Sequence, residues 1–484
     1  MNYLSKKAKP FFNPAKKKAA KALKAGQYAE AVEYYNGLID GNPDSISMRC
    51  DRGEAYLCLN EYEKAKEDLD IYVNRKSDDE RGYYLRGIVH DKLNLRVDAL
   101  NDLNRALGIK PDSPFAYEAL KICAKHNYEL GNRDKAFQEL NLILQTSTYD
   151  TWALETRGKM YYENKQYQEA LQDFNSFLDI QPVSINILEL RGNIYRKLGL
   201  SNKALTDYNQ ALKINPNDPN ILINCSKTYL VQKQYSDALR VIEKFLYYGG
   251  ELNASVLKNR GLIYAGLSRH NDAITDFTMS LEKNEKGTTY RHRAKVYQAL
   301  KQYKEALADL NKALILDDSD KESLIMRNQA EIYKEQKNYE KAIEVLAKGL
   351  ENAPGDTNML HLFVVKGDIH RLRKEFAESL ENLNNALSLD LNAMEIDSDE
   401  PIINDDKKKY NALALCYRGS IHRNNKDYVN ALKDLDGSLK KHPKNIFALC
   451  ERGAVYRDKG NFKDAWNDIE NALKLSEEND DDLE

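Results

Sequence analysis

Nothing in this sequence is apolar for long. Its most apolar stretch, Leu360 to Val365, falls far short of the roughly 20 residues that cross a bilayer, so no membrane-spanning helix is expected. No apolar segment follows the lysine-rich start, as a secretory leader would require. Prolines number only 11 and no Gly/Ser-rich linker occurs, which excludes a string of tethered domains and leaves a chain folded almost end to end, mostly as helix. The six cysteines include no Cys-x-x-Cys pair, which argues against zinc clusters and a disulfide framework. They are expected to be buried free thiols, in keeping with a cytoplasmic protein, a cilium being the second setting considered.

Chemistry is scarce too. There is no phosphate-cradling glycine pattern, no His-Glu-x-x-His and no cluster spaced for a metal, so neither an enzyme nor a cofactor is expected. The net charge of −3 gives no chain-wide basic excess to serve nucleic acid. That small net value hides a polar layout. Eight lysines and no acid precede Glu30, and six of the last eight residues are acidic.

What the sequence has in abundance is self-similarity. Arg-Gly-x-x-Tyr recurs at a spacing near 34 residues, with clear copies at Arg157, Arg191, Arg260 and Arg452. Numbering each unit from one places starts at Phe12, Ile46, Glu80, Tyr117, Thr151, Ile185, Pro219, Ala254, Gly287, Ser323, Leu360, Ala412 and Ile446. Position eight is then always Gly or Ala except for Ser226, and position twenty is always Ala except for Ser379. Small residues at two such places let two helices cross closely, while bulky neighbours such as Tyr161, Phe174 and Phe177 fill the remaining space.

This pattern resembles the tetratricopeptide repeat, with small residues at eight and twenty, an aromatic at eleven, a bulky residue at twenty-four and a closing proline in six units. The resemblance implies an all-α, right-handed superhelical solenoid of about thirteen helix-turn-helix repeats with a concave groove that binds proteins. The expected organisation is a basic tail over 1–11, eleven repeats over 12–390, a flexible acidic insertion over 391–411, two repeats over 412–479 and an acidic tail over 480–484. His90, His370 and His422 occupy the aromatic position and read as packing residues.

A correlation within the repeats adds a structural reading. Eight units carry Arg at position seven and the same eight carry Asp at position twenty-three, among them Arg157 with Asp173, Arg191 with Asp207, and Arg260 with Asp276. Because the two always occur together, each Arg is expected to brace its own repeat's second helix. The first, fourth, seventh, tenth and eleventh units lack both residues.

Positions two, five, nine and twelve share one face of the first helix, and the family resemblance places that face on the groove. From the fourth to the tenth unit it carries Lys121, Lys125, Lys159, Arg196, Lys227, Lys258, Arg291, Lys295, Arg327 and Lys334 against the acids Glu118, Glu155, Glu189 and Glu331. Tyr128, Trp152 and Tyr162 add flat apolar area. The expected ligand is an acidic extended protein segment, and the interspersed acids disfavour nucleic acid. The family's chaperone-tail clamp is incomplete. Asn193 and Asn224 fit it, but Glu189, Ser255 and Asn259 replace the required basic residues. A co-chaperone adaptor and an architectural part using the convex surface stand as alternatives. Oligomeric state is left open by the sequence.

Overall fold

Each repeat folds as two helices because its apolar residues recur at helical spacing on both sides of a short turn, and neither helix can bury its stripe alone. A computed structural model describes residues 14–316, 322–352, 359–389 and 403–481, which form 26 helices, numbered α1 to α26, and no strand. Odd-numbered helices open the repeats and even-numbered ones close them. In the fifth repeat, for example, α9 is Thr151–Glu163 and α10 is Tyr167–Ile180. Eight of the thirteen expected starts coincide with a helix start, and three more, Tyr117, Ser323 and Leu360, lie one residue inside it.

The differences fall at the ends and at the insertion. Helix α1 (Pro14–Lys24) opens two residues after Phe12, and the basic tail over 1–11 lies outside the described residues. Residues 390–402 are likewise outside them. Helix α23 (Ile403–Asn424) starts nine residues before Ala412, so the later part of the segment expected to be flexible is helical. Its anchor is Tyr410, whose ring lies 3.8 Å from that of His361. Helix α26 (Phe462–Asp481) runs into the acidic tail, of which 482–484 lie outside the description.

The chain divides into two units, residues 1–187 and 188–484. Within each, position eight meets position twenty-four. A Cβ on Gly158 would stand 2.6 Å from the Phe174 ring in the first unit, and one on Gly192 would stand 2.6 Å from Tyr208 in the second. The two serine exceptions satisfy their hydroxyls across the same crossing. Ser226 at position eight donates to the Ala238 carbonyl at 3.1 Å, and Ser379 at position twenty donates to that of Gly367 at 2.6 Å.

The turn between the paired helices sits at position fifteen, which takes a left-handed conformation in every repeat. Gly26, Gly131, Gly199 and Gly460 do so at little cost, and nine other repeats use Asn, Ser or Lys, such as Lys165 at φ 60°. Five opening helices, α5, α9, α13, α15 and α25, are capped by the side chain of the residue before them. Asp150 accepts from the Ala153 amide at 2.7 Å, and Asn253 from that of Val256 at 3.0 Å. None of the described helices is both long and apolar enough to cross a membrane.

Candidate functional site

All eight Arg/Asp pairs form, each bidentate. Arg157 donates to Asp173 at 2.9 and 2.6 Å, Arg191 to Asp207 at 2.8 and 2.7 Å, and Arg260 to Asp276 at 2.7 and 2.7 Å. The sequence reading missed their third arm. Nη1 of Arg157 reaches Asn141, and Nη1 of Arg52, Arg86, Arg418 and Arg452 reaches Asn36, Asp70, Asn384 and Asp436. All these acceptors stand at position twenty-five of the preceding repeat, so each guanidinium fixes register between repeats as well as within one. A position twenty-five that is polar in every repeat but the tenth, where it is Ala347, was the available signal. The position-eleven histidines also face carboxylates: His90 Nδ1 is 3.0 Å from Asp102, and His370 Nδ1 is 2.7 Å from Glu375. Of the cysteines, Cys50, Cys123, Cys225 and Cys416 are buried and free. Cys58 and Cys450 are exposed, which corrects the expectation that all six are buried.

In the first unit the expected groove cations are mostly engaged by their neighbours. Lys121 lies 3.5 Å from Asp150 and over the rings of Tyr117 and Trp152, both at 5.4 Å. Lys159 pairs with Glu155 at 2.6 Å, and Tyr128 donates to Glu163 at 3.0 Å. The Tyr162 ring lies 6.2 Å from that of Tyr167, tilted by 55°, while Lys125 is exposed. These contacts use up much of the charge that the sequence counted there.

Two cations of the second unit are engaged as well. Lys334 pairs with Asp368 at 3.2 Å, and Arg327 bonds His361 at 2.9 Å while lying over Tyr410. Between them and the start of the unit, Arg196, Lys227, Lys258, Arg291 and Lys295 follow one another across the sixth to ninth repeats. Lys227 is half-buried with no carboxylate partner among the described residues. Burial, then Arg196 and Lys258, push its pKa down. Burial and the cations Lys295, Arg291 and Lys258 hold His292 at about 3, so it stays neutral within this row.

A small cavity of about 230 Å³ sits beside Lys227, lined also by Asn224, Ser255 and Glu189. Asn224 donates to Glu189 at 3.2 Å, and burial followed by the charge of Asp218 pushes the Glu189 carboxyl up. Glu189 thus occupies the place where the clamp's lysine would stand. A larger cavity of about 900 Å³ shows that this face turns inward in the second unit. Leu230, Leu262 and Ala265, at positions twelve, nine and twelve, share it with Lys408, Lys409 and Lys441 of the twelfth repeat.

Comparison with known proteins agrees with this architecture. Family models described as tetratricopeptide repeat match residues 17–80 and 285–354, and one described as TPR repeat matches 192–233. Among curated proteins, the mouse RNA polymerase II-associated protein 3 is 27% identical over 121 residues, covering 25% of this chain and 18% of the relative. Its human counterpart is 23% identical over 143 residues, covering 29% and 21%. The chain therefore spans about a fifth of the length of these relatives.

Among solved structures, a chain of the APC/C hetero-tetramer Cut9–Hcn1 aligns over 97% of this chain and 95% of its own length, with 15% identity and a TM-score of 0.41. A tetratricopeptide repeat protein from Parabacteroides merdae aligns over 52% of this chain and 97% of its own, with 19% identity and a TM-score of 0.38. The three matched segments are separated by repeats that place the same small, bulky and left-handed residues at the same positions, so the described chain is built of tetratricopeptide repeats.

Proposed function

We propose that the protein is an interaction scaffold whose second unit holds an acidic, extended segment of a partner protein along Arg196, Lys227, Lys258, Arg291 and Lys295. The observation that carries this reading is Lys227, a half-buried ammonium set between two other cations and paired with no carboxylate among the described residues, Glu189 across the small cavity being bonded to Asn224 instead. Burying like charges together is unfavourable, and a carboxylate arriving from a partner relieves both the desolvation and the repulsion. An extended segment suits a row that advances about one repeat at a time, and attraction along the row also speeds encounter. The curated relatives' printed name makes RNA polymerase II the first partner to assay.

The test is fluorescence anisotropy of a labelled ten-residue Glu/Asp/Ser peptide on the full chain. Wild type should bind with an affinity that falls as salt rises, and Lys227→Glu should weaken binding by about tenfold or more. Binding that is indifferent to Lys227→Glu would place the partner surface elsewhere on the repeats.

A further inference from the structure

The leading stretch of α23 changes what the inner face of the second unit can hold. The Tyr410 ring lies against that of His361 at 3.8 Å, tilted by 36°, and receives the Arg327 guanidinium at 5.6 Å, which fixes the stretch on the tenth and eleventh repeats. Just ahead of that anchor, Lys408 and Lys409 border the cavity of about 900 Å³. Lys441 at the end of α24 and Lys233 in the turn after α13 border it too, and Leu230, Val231 and Leu262 supply apolar wall. No acidic side chain among the described residues lines it.

That combination limits the ligand. A purely anionic guest would leave the leucines and Val231, which is 44% exposed, in contact with water. A purely apolar guest would leave four converging ammonium groups without counter-charge. A bulky apolar side chain flanked by carboxylates satisfies both demands, and the volume falls within the range of small-ligand pockets. The cavity also adjoins the cation row. His292 lines it while standing in the field of Lys258, Arg291 and Lys295, and Leu262 lies one helical turn beyond Lys258.

We infer that this cavity is a specificity pocket for the same acidic segment: it takes a bulky apolar side chain of the partner while Lys233, Lys408, Lys409 and Lys441 hold the neighbouring carboxylates. The inference rests on the groove reading given above.

Two labelled peptides test it on the full chain, Glu-Glu-Asp-Glu-Leu-Phe-Glu-Asp-Glu-Glu and the same peptide with Ser-Ser in place of Leu-Phe. The Leu-Phe peptide should bind about tenfold or more tightly. The combined Lys408→Ser and Lys409→Ser variant, altered only at exposed residues, should lose most of that advantage with unchanged helical circular dichroism, as should Val231→Asp. If the two peptides bind equally and weaken with Lys227→Glu but not with the Lys408/Lys409 variant, the groove stands and the pocket is overturned. If inositol hexakisphosphate binds through Lys408 and Lys409 while the peptides do not differ, the cavity is a polyphosphate site and the inference is again overturned. If neither peptide responds to Lys227→Glu, the groove reading itself has failed.

Discussion

Arg157 grips both carboxylate oxygens of Asp173, at 2.9 and 2.6 Å, across the crossing of α9 and α10. Asp173 is 3% exposed, so removing the guanidinium strands a buried charge. Arg157→Met should cost about 3 kcal/mol, and adding Asp173→Leu should restore most of it, because an apolar pair removes the desolvation penalty along with the attraction. Urea unfolding of the two variants measures both effects. A double variant no better than the single one would show that the pair contributes net stability.

The approach of position eight to position twenty-four predicts a steric penalty. A methyl on Gly192 would stand 2.6 Å from the ring of Tyr208, which is fully buried and whose hydroxyl is held by Asn193 at 2.7 Å. Gly192→Ala should destabilise by about 1–3 kcal/mol, read as a lowered urea midpoint, while Gly108→Ala, on the exposed face of α6 with nothing within 4 Å of the added methyl, should cost nothing.

Much of this architecture was legible because a repeat states each constraint thirteen times. Small residues at eight and twenty and the Arg/Asp correlation were readable for that reason. What one sequence could not separate was whether a surface lysine has a local partner. Lys159 and Lys227 occupy the same repeat position, yet one pairs with Glu155 and the other with nothing acidic, a difference set by rotamers and by neighbours in adjacent repeats. The Lys408/Lys409 cavity was also hidden. It joins residues more than 140 positions apart, and the stretch supplying those lysines had the composition of a loop.

The left-handed turn residues can be improved. Lys165, at φ 60°, holds a conformation that costs a non-glycine residue about 1 kcal/mol, and its side chain lies outward. Lys165→Gly should therefore stabilise by a fraction of that amount up to about 1 kcal/mol, and Gly199→Lys should do the reverse. Thermal melts of the two variants should move in opposite directions.

Acid should weaken the fold before its carboxylates titrate. Burial and then the Arg327 guanidinium hold His361 at about 3 against 6.5 for a free histidine, and His292 is held at about 3 as well. The unfolded chain thus takes up these protons first. Stability is whole above pH 6.5 and declines as pH falls toward 3, by up to about 1.4 kcal/mol per pH unit for each histidine. Urea midpoints at pH 7.5, 6 and 5 should fall, and the slope should be shallower in His361→Gln. An unchanged slope would mean that His361 takes its proton in the folded state.

Thiol reactivity should split two against four. Burial pushes the Cys50, Cys123 and Cys225 thiols up to about 12 and raises that of Cys416 too, which leaves negligible thiolate at neutral pH. Ellman's reagent should modify Cys58 and Cys450 in the native protein and all six thiols in guanidinium. A third fast thiol in the native protein would mean that one of the buried positions opens.

The three-armed arginines also bear on how the molecule would answer a mechanical load. Where present, each guanidinium ties a helix to its partner and to the repeat before it, so force must break several charge-assisted bonds at once. In the seventh repeat Cys225 and Val241 stand where that arginine and its aspartate would be, and in the tenth Gln329 keeps only the backward arm, to Asn311 at 2.8 Å. Stretching within the second unit should begin at these softer coils and at the eleventh repeat, where Lys366 and Asn382 stand in place of the pair, and the seventh belongs to the repeats that line the inner cation row and its cavity. A partner segment lying across them would act as a brace, and tension would act as a means of releasing it.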